Sequence, residues 1–256
     1  MFEDLLIVLN QVLNPMVRDG QNSGYSWNHC YGFFQNRHAD FNQNDMQLAC
    51  LHLGFYLASW GMYRSGGIRY KDYRIYEGII NILLRHDYQA VWQPHYYDGI
   101  LTGENEITQY TPQIQAARKL YSEIELYINR LKSRNNNGDE RAISATETLI
   151  TKILLGTTAC VPAYDDYFKK GLKSMNMTQS FKTGFPKLLK RCRREQLLQE
   201  LDNGYQQNGV QIFRQNSIIT ICIGNTNFQF PLMKVIDMYF WGKGFYQNNP
   251  QDGLGG

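Results

Sequence analysis

Through most of this 256-residue chain the apolar residues recur at helical intervals, and only one late stretch departs from that period. A chain so patterned must bury one stripe of each helix against its neighbours. The fold class is therefore mainly α, a multi-helix globular fold. The opening run MFEDLLIVLNQVLNP reads as a first amphipathic helix ended by Pro15, and further helices are expected near 25–38, 45–64, 73–92, 111–133, 144–155, 164–174 and 186–203. The breaks RSGG, QPHYYDGILTGENE, RNNNGDERA and NMTQSFKTG carry the Gly, Asn, Asp and Pro chemistry of turns. Near 210–230 the segment VQIFRQNSIITICIGNTNFQF is alternating and β-branched, which predicts a small hairpin or three-stranded appendage. A last helix, PLMKVIDMYFWGKG, follows, and the tail 247–256 is expected to be disordered. Residues 1–246 then form a single helical unit, or two helical lobes with a cleft between them.

The run DMQLACLHLGFYLASWGMYR, residues 45–64, touches the length that a membrane span needs. A helix buried inside an α-helical protein looks the same, and nothing else in the chain is membrane-like. Gly54 and Gly61 suit close helix approach, and His52 suits a hydrogen-bonded core histidine. Glu3 and Asp4 stand where a signal peptide would be basic. The five cysteines, Cys30, Cys50, Cys160, Cys192 and Cys222, are scattered with no C-x-x-C pair, which argues for reduced thiols in a cytoplasmic protein and against a zinc or iron–sulfur site. A net charge of +3 is too small to attract a polyanion through the field of the whole molecule, so any such binding needs a local patch.

The stretch ITKILLGTTACVPAYDDYFKKGLK, residues 150–173, demands the most explanation. An apolar helix stops at a glycine, passes a proline, and meets two adjacent aspartates among aromatic residues. In the plain reading Pro162 sits in the first turn of the next helix and Asp165 and Asp166 complement the positive end of its dipole. The same geometry has a chemical use. A carboxylate held at a helix start against aromatic walls can stabilise a developing cation or orient a water.

In order along the chain, NNNGDERA, ISATETLITKILLG, TTACVPAY and Asp165 followed by DYFKKGL resemble the hairpin, helix, loop, aspartate and helix of the helix-hairpin-helix superfamily of DNA glycosylases. The customary Leu-x-Gly-hydrophobic-Gly hairpin is absent. The resemblance implies a helical catalytic unit that binds double-stranded DNA as a monomer, rotates a modified base out of the stack, and excises it without cofactor or metal to leave an abasic site. Asp165 is the catalytic residue so implied, with Asp166 as the other candidate. Members that also nick the strand carry a lysine at the start of the helix after the hairpin. AISAT, residues 142–146, has none, and Lys152 lies two turns too late, so a monofunctional enzyme is expected. A bacterial anti-phage type that removes glucosylated hydroxymethylcytosine from phage DNA is similar in size and helical build, and supplies one candidate substrate.

The base pocket is expected from NSGYSWNHCYGFF, where Asn22, Tyr25, Trp27, Asn28 and His29 mix flat faces with hydrogen-bonding groups, together with Tyr164. The plain alternative there is a helix capped by Ser26. DNA contacts are expected from Lys169, Lys170, Lys187, Lys190, Arg191 and Arg194, against which stands an ordinary solvated basic face. Two other function classes are consistent with the same residues. One is a non-enzymatic helical interaction or regulatory module. The other is a small-molecule hydrolase using Asp165, Asp166 and Asp98, although no P-loop, G-x-S-x-G or H-E-x-x-H motif is present.

Overall fold

The computed structural model describes residues 4–20, 22, 24–63, 72–134 and 140–248, with the side chains of 133–134, 140–142 and 247–248 outside that description. The expected RSGG break, the tip of the hairpin segment at 135–139 and the tail from 249 lie outside the described residues. The chain is mainly helical with a small antiparallel sheet near its C-terminus. It divides into two compact units, one formed by residues 1–22, 93–115 and 162–256, the other by 23–92 and 116–161.

The first unit holds α1 (Leu5–Arg18), α5 (Asp98–Thr102), α8 (Asp166–Ser174), α9 (Phe181–Arg194), α10 (Leu197–Asn203) and α11 (Leu232–Asn248). Its sheet is a meander of β3 (Tyr205–Gln207), β4 (Val210–Gln215), β5 (Ile218–Ile223) and β6 (Thr226–Pro231), one strand more than expected. Asn208–Gly209 and Asn216–Ser217 join the first three strands with both central residues at positive φ, the backbone a two-residue hairpin turn requires. Ile212, Ile221 and Phe228 align across three strands and are buried, while Gln211 and Gln229 face outward. Asp98, at the start of α5, accepts from Arg214 at 2.8 Å and Ser217 at 2.9 Å, with Arg214 also paired to Asp202. That acid is the anchor of a latch between helix and sheet.

α8 and α11 pack at backbone distance. A Cβ at Gly171 would collide with the Phe240 carbonyl oxygen, and one at Gly244 with the Tyr167 carbonyl oxygen. Glycines on both helices therefore let the two backbones touch.

The second unit holds α2 (Tyr25–Arg37), α3 (Gln43–Ser59), α4 (Glu77–Leu83), most of α6 (Pro112–Arg130), the short ladder of β1 (Lys132–Arg134) and β2 (Glu140–Ala142), and α7 (Glu147–Thr157). α3 starts on a reciprocal capping box of Asn42 and Asp45. It stops at Ser59, and among the described residues no helix is long and apolar enough to cross a membrane. Gly54 faces the side chain of Tyr76 from the 3₁₀ turn, not another helix backbone, and Gly61, at φ +72°, follows the helix end. His52 is half-buried and stacks on Phe33 at 4.5 Å. Trp27 donates its indole N–H to the Leu155 carbonyl at 2.9 Å, fixing α2 on α7, and Gly156 of α7 gives way to the Tyr56 ring.

Four expectations are corrected. The first helix is not ended by Pro15 but runs through it to Arg18. The single helix over 73–92 is a 3₁₀ turn, α4 and a second 3₁₀ turn. The helix over 186–203 is two helices, parted at Gln196 with φ +51°. Ser26 is no cap: it lies inside α2, where its hydroxyl meets that of Ser59 at 2.6 Å.

Candidate active site

α7 closes on Thr158, whose hydroxyl donates to the Leu154 carbonyl at 3.0 Å and accepts from the Cys160 N–H at 3.2 Å. Ala159 turns the chain at φ +49°, and Val161, Pro162, Ala163 and Tyr164 are all buried. A buried loop must find partners for its own amides. For Ala163 the partner is remote in sequence: its N–H donates to Asp237 Oδ1 of α11 at 2.9 Å. Asp237 is 6% exposed, and its other oxygen accepts from Lys234 Nζ at 3.2 Å, itself 7% exposed. A buried ion pair thus clamps the loop two residues before Asp165. Spacing along the chain offers no sign of this clamp.

Asp165 is the N-cap of α8. Its backbone is extended at φ −83°, ψ 178°, and Oδ1 accepts from the Phe168 N–H at 3.0 Å. Its side chain is part-exposed while the four residues before it are buried. Asp166 is the first helical residue and is exposed, and Pro162 stands outside the helix, not in its first turn. Of the two acids, only Asp165 is held by a backbone N–H at the mouth of a buried loop.

Tyr164 is fully buried against Phe168 at 4.9 Å and Phe181 at 5.7 Å, and Phe168 packs in turn on Phe240. Its ring belongs to the core, so it presents no face for a base to stack on. Tyr167 carries the exposed side of this cluster, edge-on to Trp241 and Phe245, with Lys170 Nζ 5.1 Å from its centroid.

The other expected pocket residues divide between the two units. Asn22 lies in the first, where its N–H donates to the Asp19 carbonyl at 3.0 Å. Tyr25, Trp27 and Asn28 lie on α2 in the second. Trp27 is buried, stacked on Tyr31 at 4.6 Å, and its indole is committed to Leu155. Like Tyr164, it serves packing. Asn28 and Tyr25 remain part-exposed.

The basic residues are more engaged than their sequence suggests. Lys190 pairs with Glu106 at 3.0 Å, Arg191 with Glu195, and Lys187 reaches Thr178 at 3.2 Å. Arg193 donates to the carbonyls of Gly103 and Asn105, tying α9 to the segment after α5. Lys187, Lys190 and Arg194 lie along one exposed face of α9, and Lys170 and Lys173 are exposed on α8. Exposed pairs of this kind are worth little and exchange readily for a phosphate.

Lys152 is 4% exposed on α7, with Nζ 4.5 Å from the Trp60 ring centroid. Thr146 caps that helix, its hydroxyl accepting from the Leu149 N–H at 3.2 Å. The cysteines are free thiols, and burial pushes Cys50, Cys160 and Cys192 up to about 12, far from the range of a nucleophilic thiolate. Among the described residues no group of three His, Cys, Asp or Glu side chains is placed to hold a metal ion. Comparison with known protein families, with curated proteins and with solved structures finds no match for the chain.

Proposed function

We propose that this chain is a monofunctional DNA glycosylase in which Asp165 stabilises the sugar cation and orients the attacking water. The observation that carries the reading is the mounting of Asp165: a part-exposed carboxylate capping α8, at the end of a buried loop clamped by Asp237. In the reaction the C1′–N bond breaks, its electron pair leaving with the base, and positive charge collects on the deoxyribose. The carboxylate faces that charge, accepts a proton as water adds to C1′, and leaves an abasic strand. The departing base takes its proton from solvent. Residues 142–146, where strand-nicking members of the resembled family carry a lysine, hold none, which favours water as nucleophile. The exposed face of α9, with Lys187 and Arg194, suits the sugar–phosphate backbone of duplex DNA.

The test is incubation with duplexes carrying different modified cytosines, glucosylated hydroxymethylcytosine among them, followed by alkali. Strand breaks that appear only after alkali, with free base in the supernatant, support the reading. Intact strands on every substrate contradict it. A second reading, an interaction module, is favoured by one feature: Leu48, Leu51 and Phe55 form an exposed apolar stripe on α3, with Phe55 67% exposed.

A further inference from the structure

The second unit contains a cleft of about 820 Å³, lined entirely by residues between His38 and Gln89 of that unit. Its volume is that of a small-molecule site. Gln43 and Gln47 stand one turn apart on α3, and Glu77 and Asn81 one turn apart on α4, each pair spanning about 6 Å along its helix and sharing a face. Two polar rows therefore line the cleft. The side chains of Gln43, Gln47 and Asn81, with that of Gln89, are exposed, and among the described residues they make no hydrogen bond to protein. At the end of α2 His38 is held in place, its ring stacked on Trp92 at 4.7 Å and its Nδ1 lying 3.1 Å from the Gln35 carbonyl. A carbonyl only accepts, so Nδ1 carries the proton and the neutral ring keeps Nε2 as an acceptor. Phe41 and Tyr73 add half-buried rings. Arg74 is the only Lys or Arg lining the cleft, and Asp72 holds it at 2.6 Å through Nη2 and at 2.8 Å through Nε.

From this we infer that the cleft between α3 and α4 binds a neutral saccharide of one or two rings. Each amide both donates and accepts, and so does each hydroxyl of a sugar, so the two rows can answer a ring edge whichever way its hydroxyls point. The Glu77 carboxylate accepts from two neighbouring hydroxyls at once. One helical turn is comparable to the width of a pyranose, and the C–H faces of such a ring pack on the rings of Phe41 and Tyr73. The charges select in the same direction. Arg74 is already answered by Asp72, so a phosphate or carboxylate ligand meets no free counter-ion, and a single acid among amides is a poor seat for a cation. The inference is independent of the reaction proposed above, since every residue it uses belongs to the second unit.

Calorimetric titration of the full chain with maltose, cellobiose, lactose and diacetylchitobiose tests this, with inorganic phosphate and choline as charged comparators. Saturable binding of at least one of the disaccharides is expected, with neither comparator binding as tightly. Gln47→Met and Asn81→Leu keep the bulk of each side chain and remove its amide. Each is expected to weaken binding at least about tenfold, the scale of one hydrogen bond to a ligand. The melting midpoint should stay where it is, because neither amide is bonded to the fold among the described residues. No binding of any disaccharide, tighter binding of either comparator, or an unchanged Kd in both variants overturns the inference. A lowered midpoint in both variants also overturns it, by returning the amides to the fold.

Discussion

A buried carboxylate is tolerated only when its charge and its lone pairs are answered. Asp237 meets both conditions, with Lys234 on one oxygen and the Ala163 N–H on the other. Asp237→Ala removes a buried partner of both the Lys234 ammonium and the Ala163 N–H and is expected to destabilise the protein by about 3–5 kcal/mol in a urea titration. The double variant Lys234→Met, Asp237→Leu leaves no orphan charge and loses chiefly the Ala163 amide's partner, about 1–3 kcal/mol. If the double variant is no better than the single, the pair is not the clamp described. The helix start at Asp165 was legible in the sequence because two acids after a proline, among aromatics, mark one. Asp237 was not, because its partner lies 74 residues away and KVIDMYF reads as an ordinary helical run. Trp27 and Tyr164 misled for a related reason. Ring content shows that aromatic surface exists, and only packing decides whether a face of it remains accessible.

Among the elements, the pairing of α8 with α11 decides where Asp165 stands. Gly171→Ala places a methyl group on the Phe240 carbonyl and must push the helices apart. The expected cost is about 1–3 kcal/mol from overpacking, offset slightly by alanine's better helix propensity. A thermal melt checks it, and an unchanged or higher midpoint contradicts the close packing. Most helices were readable from apolar period and turn residues, because those signals are local. The break at Gln196 was not, since a non-glycine residue takes the left-handed conformation there with neither Gly nor Pro to announce it. β3 escaped for another reason. Its residues are polar and exposed, and only Asn208–Gly209 marked the turn that pairs it with β4.

For the whole molecule, a net charge of +3 leaves DNA affinity to a local surface. Lys187→Glu with Arg194→Glu, both on the exposed face of α9, is expected to weaken binding to modified and unmodified duplexes alike. The slope of log affinity against log salt should fall by about 1 for each phosphate that is no longer neutralised. Arg191→Glu alone should act less on binding than on local order, since it places a second acid beside Glu195. A change of base preference in place of uniform weakening would move this helix from the backbone to the pocket.

The central claim is that the Asp165 carboxylate acts on the transition state. Single-turnover base excision by Asp165→Asn tests it most directly, because asparagine caps a helix as well as aspartate does and keeps the bond to the Phe168 N–H. The expected result is an unchanged melting midpoint and unchanged duplex affinity, with the excision rate reduced by about 10²–10³-fold or more. Excision at the wild-type rate would contradict the account.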